Sequence, residues 1–246
     1  MTTLHDPNIL PGDLPAPQDD GAARHLMGMR LPSLVLKATD GSQVDLSKLP
    51  GRTVIYIYPR TGVPGQPLPE GWNEIPGARG CTPQSCGFRD HFSELKRLGV
   101  LRVFGLSTQD TGYQREAVDR LHLPFPVLSD ERLELARAIE LPTFKVAGMT
   151  LLKRMALVID DGMISRVFYP VFPPDKNAED VIAWLRNRRD VRHSCSAGTA
   201  RPRGVHARLP RLGRVNALIS ARVHLLCKKL FTSGFITGSK PATRGQ

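Results

Sequence analysis

Two cysteines, Cys81 and Cys86, stand five residues apart in Gly80-Cys81-Thr82-Pro83-Gln84-Ser85-Cys86-Gly87-Phe88-Arg89-Asp90. The segment Val54–Tyr58 upstream reads as a buried strand, and the residues from Thr82 onward read as a helix. A thiol attacks as its thiolate, and the free amide hydrogens and dipole at the start of a helix favour that anion. Thr82 is the expected cap, with Pro83 suited to the first turn. Helical spacing puts Cys81, Ser85, Phe88, Phe92 and Leu95 on one apolar face. It puts Cys86 with Arg89, Asp90, Ser93 and Arg97 on the opposite, polar face.

In ideal helix geometry positions five apart are separated by about 140° and ~7.5 Å along the axis. A disulfide needs Cα atoms within ~7 Å and converging side chains. The pair can therefore bond only if the first turns of the helix unwind. That pattern disfavours a structural bridge. It favours one cysteine oxidised in a pocket and a second that resolves it after local opening.

The elements that must position these thiols follow from the hydrophobic pattern. A hairpin is expected over 31–46, with a turn at Asp40-Gly41, then a central strand over 52–58. Arg60–Gly80 holds four prolines and five glycines in 21 residues, the composition of a long irregular loop, with Trp72 as its anchor. One helix is expected over 82–98, a strand over 101–107, a helix over 114–121 and a strand over 126–128. Asp130 should cap a helix to Ile139. A hairpin should follow over 154–168, turning at Asp160-Asp161-Gly162, and then a last helix over 178–187. This order predicts an α/β domain, a central mixed sheet with helices on both faces, in the thioredoxin-like arrangement.

The net charge of +11 is uneven. Residues 1–190 carry 23 basic and 23 acidic side chains, whereas residues 191–246 carry 11 basic and none acidic. The chain reads as a loosely ordered arm over 1–30, a domain over 31–190 and a basic extension over 191–246. The extension is expected to be poorly ordered, or to form an amphipathic helix over 211–231 that touches anionic surfaces. No specific nucleic-acid partner is expected of the neutral body. Four cysteines, no basic-then-apolar leader in the first residues and no apolar run of about 18 residues lead to the expectation of a reducing cytoplasm. A zinc site would need two more ligands than the pair supplies, so neither metal nor cofactor is expected. His91 and His122 are the nearest bases for a hydrolytic reading, and nothing in the sequence orients them.

Several motifs, in order, resemble the peroxiredoxins of the alkyl hydroperoxide reductase and thiol-specific antioxidant family, most of all its Q subfamily, the bacterioferritin comigratory proteins. They are Val54 to Pro59, Gly80-Cys81-Thr82 with Cys86-x-Phe88-Arg89-Asp90, Leu123 to Asp130, and Arg154 to Asp160. The resemblance covers about residues 30–190. It implies a peroxiredoxin fold and a thiol peroxidase. In that reading Cys81 attacks hydrogen peroxide or an organic hydroperoxide and becomes a sulfenic acid. Cys86 condenses with it as an intramolecular disulfide, and thioredoxin or a similar dithiol reduces the pair. Arg154 matches the family's active-site arginine. The family places a Pro and a Thr seven and three residues before its peroxidatic cysteine, where this chain has Glu74 and Ala78. Pro59 and Thr61 are the matching residues by motif, so about 15 residues are inserted, and Thr61 reaches the thiolate only if the loop folds back. The hydroxyl of Thr82 is a second candidate donor. The family also implies a monomer or a homodimer. Two other readings fit the same cysteines: a redox-sensing or binding module on this fold, and a thiol–disulfide oxidoreductase.

Overall fold

The computed structural model describes Leu10 and residues 12–196, with side chains through Arg188. Among the described residues nine strands and five α-helices run in the order β1 (Val35–Ala38), β2 (Gln43–Asp45), β3 (Arg52–Ile57), α1 (Cys81–Asp90), α2 (Phe92–Arg97), β4 (Val100–Ser107), α3 (Thr111–Leu121), β5 (Val127–Ser129), α4 (Glu134–Ala138), β6 (Thr143–Val146), β7 (Met149–Leu152), β8 (Met155–Asp160), β9 (Met163–Phe168) and α5 (Asn177–Ser196). Seven strands form one sheet in the order β2-β1-β5-β4-β3-β8-β9, and β6 pairs only with β7. Strands β3, β4 and β5 run parallel, while β8 lies antiparallel to β3. The sheet is mixed, and its thioredoxin-like α/β organisation is the expected one.

Strand β3 is buried on both faces, as its run of β-branched and aromatic residues requires. Side chains alternate along a strand. Val54, Tyr56 and Tyr58 therefore join a core with Cys81, Phe88, Leu95 and the α5 residues Val181, Ile182 and Leu185. Ile55 and Ile57 join a second core with Leu135, Ala136 and Ile139. The thiol-bearing helix α1 thus sits on the α5 side of the sheet. Gly105 keeps that side close-packed, because a Cβ there would meet the Tyr56 ring at 2.8 Å.

The structure differs from the sequence expectations in five places, the fifth being the end of helix α5. The expected helix over 82–98 divides at His91, whose backbone (φ −95°, ψ 5°) leaves the helical range. The bend turns Phe92 onto Phe125, with ring centroids 5.6 Å apart. Asp130 does not adjoin the helix it caps. Its carboxylate reaches over a left-handed Leu133 to accept from the amides of Leu135 (3.1 Å) and Ala136 (2.8 Å). The β6–β7 hairpin was not expected. It closes on Ala147 and Gly148, both at positive φ, a two-residue turn that suits strand twist.

The fourth difference lies in the arm. It was expected to be loosely ordered over 1–30, but its later residues dock on the body, Pro17 against Gly77 among them. Ala23 and Leu26 enter the second core, Gly28 N bonds Ile164 O at 2.8 Å, and Asp20 pairs with Lys153 at 2.6 Å. Helix α5 continues to Ser196 rather than ending at 187. The expected amphipathic stretch over 211–231 lies outside the described residues. Among the described residues no helix is long and apolar enough to cross a membrane.

Because Leu26 is fully buried in that core, Leu26→Ala should lower stability by about 2–5 kcal/mol. A urea-unfolding midpoint unchanged from the parent would show that the arm contributes nothing.

Candidate active site

Helix α1 begins at Cys81 itself. Its cap is Gly80, held left-handed at φ 98° and ψ 22°, and not Thr82. Glycine is needed here twice over: the conformation is strained for other residues, and a Cβ would collide with Pro174. Thr82 and Pro83 fall inside the first turn, and Thr82 is buried. The first helical bond runs from Gln84 N to Gly80 O at 3.0 Å. Cys81 is nearly closed off from solvent, its Sγ 3.7 Å from Ala78 O.

Arg154 meets this sulfur from the other side. It lies between β7 and β8 and is itself buried. Its Nη2 stands 3.3 Å from Cys81 Sγ and donates to Arg79 O (2.8 Å) and Ala78 O (3.2 Å). Nη1 donates to Gly80 O (3.3 Å) and to Gln84 Oε1, and Nε donates to Gly77 O (3.3 Å). One guanidinium thus holds the chain from Gly77 to Gly80 and touches the thiol that follows. A fixed cation in contact with sulfur stabilises negative charge there and on oxygen reacting beside it.

The Gly/Pro-rich segment does fold back over the thiol. Arg60, Gly62, Val63, Leu68, Trp72 and Tyr113 line one hollow with Cys81, about 30 Å³ in volume. Trp72 anchors the segment in a small core of its own with Ala78, Leu151 and Phe144, the last two from the β6–β7 hairpin. Thr61 is buried beside this hollow, but its hydroxyl proton goes to Gln109 Oε1 at 3.1 Å. Its carbonyl accepts from Tyr113 OH and Gln109 Nε2, each at 3.2 Å. Thr61 is therefore tied to helix α3 and the loop before it rather than to Cys81. The expected site residues Cys81 and Arg154 are in contact, and Thr61 is one layer away.

Residues 26–182 match the Redoxin family. Peroxiredoxin Bcp of Escherichia coli is 31% identical over 160 residues, which cover 63% of this chain and 92% of that protein. The chain is a peroxiredoxin. The chloroplastic peroxiredoxin Q of Oryza sativa subsp. japonica is 31% identical over 162 residues, or 65% of this chain and 66% of that one, so the match spans about two thirds of the rice protein. The crystal structure of peroxidoxin BcpB from Mycobacterium tuberculosis superposes with a TM-score of 0.52 at 25% identity, covering 65% of this chain and 96% of that one.

In this peroxiredoxin Cys86 lies one and a half turns along α1 and is a free thiol, as is Cys81. Cys86 is half-buried rather than on an open polar face. Burial pushes its thiol above the ordinary range, partly opposed by the charge of Arg89. Burial likewise keeps the Tyr58 hydroxyl, which packs in the same core as Cys81, protonated well above neutral pH.

The sequence reading missed the seat of α1. Gly80, Gln84 and Gly87 share one helix face at spacings of four and three, and the turn at Pro174–Asn177 lies across it. Pro174 covers Gly80, Gln84 Nε2 donates to Asn177 Oδ1 at 2.9 Å, and Asp175 O stands 3.0 Å from where a Gly87 Cβ would be. The small–polar–small spacing was the available signal.

Gly80→Ala should cost at least ~1–2 kcal/mol from the left-handed backbone alone and should displace Cys81. Unaltered urea stability together with an unaltered rate of Cys81 oxidation would contradict this role for Gly80. In a Cys81→Ser background, alkylation of Cys86 should rise with pH to a half-maximum above the ~8.5 of a free cysteine. Peptide-resolved labelling that half-saturates at or below that pH would remove the burial effect.

Proposed function

We propose that this peroxiredoxin reduces hydroperoxides through Cys81, with Cys86 as the resolving thiol. The observation that carries the reading is the 3.3 Å contact between Arg154 Nη2 and Cys81 Sγ, the thiol that lines a small hollow. In the first step the Cys81 thiolate attacks one peroxide oxygen and the O–O bond breaks. The sulfur becomes a sulfenic acid, and the other oxygen leaves as water or an alcohol after taking a proton. Arg154 steadies the thiolate and the oxygen that gains charge. In the second step α1 opens at its first turn, Cys86 attacks the sulfenic sulfur, water leaves and a disulfide forms. A thioredoxin-like dithiol then exchanges with that disulfide and restores both thiols while becoming a disulfide itself.

We assign Thr61 a positioning part, through Tyr113 and Gln109, rather than a bond to the thiolate. The catalytic domain is taken as residues 31–190, with the basic extension 191–246 outside the chemistry. The cycle needs a reducing compartment, and a cytoplasm with a dithiol donor supplies one. The domain is taken to work as a monomer or homodimer.

Cys81→Ser should abolish peroxide consumption coupled to thioredoxin and its reductase. Cys86→Ser should consume about one equivalent and leave a sulfenate that dimedone traps on Cys81 by mass spectrometry. Full cycling by the Cys86→Ser protein would point to another resolving thiol. Turnover by the Cys81→Ser protein would overturn the assignment of the attacking sulfur.

A further inference from the structure

We infer that the Gly/Pro-rich segment between β3 and α1, through its residues 62–72, is a size filter that admits hydrogen peroxide to Cys81 and excludes hydroperoxides with a branched carbon next to the peroxide. The inference rests on the peroxidase reading above and names the substrate class of that same site. The hollow over the sulfur is about 30 Å³, and a cavity needs roughly 10–15 Å³ to hold one water. It therefore has room for about two oxygen-sized groups, the two atoms of hydrogen peroxide. A tertiary carbon bonded to the outer oxygen would have to lie against the side chains that line the hollow.

The wall of the hollow is built largely by this segment. Val63, Leu68 and Trp72 line the hollow with Cys81, as do Arg60 and, from helix α3, Tyr113. The wall is not free to give way. Trp72 is only 4% exposed, is packed with Ala78 and Leu151, and lies 6.2 Å from the Phe144 ring. Pro67 and Pro69 flank Leu68 and fix the backbone on both sides of it. At the base, the carbonyls of Gly77 through Gly80 are held by Arg154. Arg60 is also braced, with its guanidinium over the Tyr113 ring at 5.4 Å and one N–H on Met149 Sδ at 3.2 Å. The filter is thus made by residues of the long loop between β3 and α1, supported by the β6–β7 hairpin, which lies outside the main sheet.

The test is single-turnover oxidation of the full-length protein by hydrogen peroxide and by cumene hydroperoxide, followed as loss of the Cys81 thiol after rapid quenching. Hydrogen peroxide should react at least tenfold faster than cumene hydroperoxide in the parent. Leu68→Ala should narrow that ratio by about tenfold. Val63→Ala, a smaller change at a half-buried position outside the Trp72 core, should move it in the same direction should the first variant fold poorly. Equal rates in the parent, or a variant that changes both rates by one factor, would overturn the filter while leaving the peroxidase intact. Failure of both peroxides to react faster than with a free thiol would instead remove the peroxidase reading and the filter with it.

Discussion

A single buried cation sets the terms for the rest of this molecule. Taking a guanidinium out of water is costly unless its donors are satisfied. Arg154 meets that demand with main-chain carbonyls from four successive residues, an amide oxygen from Gln84 and the sulfur of Cys81. None of these partners is a carboxylate. The positive charge is solvated by dipoles, and the sulfur of Cys81 lies in contact with it. Placement after β7 and before β8 makes this possible. Strand β8 pairs with the central strand β3 along its whole length, so the base of Arg154 is fixed to the middle of the sheet.

The same bonds that organise the thiol oppose its resolution. While α1 is intact, Cys81 and Cys86 are on different sides of a helix and cannot reach each other. Opening the first turn means giving up the Arg154 contacts to residues 77–80, the Gln84–Asn177 bond, and the packing of Gly80 and Gly87 under the Pro174–Asn177 turn. In the proposed cycle, the hold that prepares attack and the hold that resolution must release therefore involve the same guanidinium.

Much of this was legible in the sequence, for a clear reason. The buried strand at Val54–Tyr58, the flanking strands and the cysteine pair are local patterns, and local patterns survive without coordinates. Arg154 came from a motif match and not from physics, since a lone arginine at a strand edge is ordinarily a surface residue. The features that were missed all depend on tertiary neighbours. A left-handed cap at Gly80 is one of many glycine conformations until Pro174 is placed above it. The β6–β7 hairpin alternates Phe144 and Val146 with polar residues, but its partner is the insert and not the sheet, so no core pattern announced it. The arm looked structureless because it docks with isolated apolar residues, Ala23 and Leu26, rather than with a periodic face. Thr61 matched by motif, but its motif was displaced in sequence from Cys81, and its hydroxyl found Gln109 instead.

In the proposed reading the Gly/Pro-rich loop shapes the approach to Cys81 without touching the sheet that holds it. Lengthening a loop adds little closure entropy, which grows only with the logarithm of its length. The main cost lies in ordering the added residues, and here that is offset by a separate small core around Trp72. Because this core forms against β6 and β7 rather than against the main sheet, the added residues leave the β3–β4 and β3–β8 pairings that fix Cys81 and Arg154 unbroken. The cation and the sulfur are held by the sheet and by α1, while the wall that limits approach to them is held by the hairpin. In the proposed reading the wall and the thiol share one hollow but differ in their main supports, so the wall can be varied at Leu68 or Val63 on grounds of size, whereas any change at Arg154 alters the hold on Cys81, on the loop end and on the first turn of α1 together.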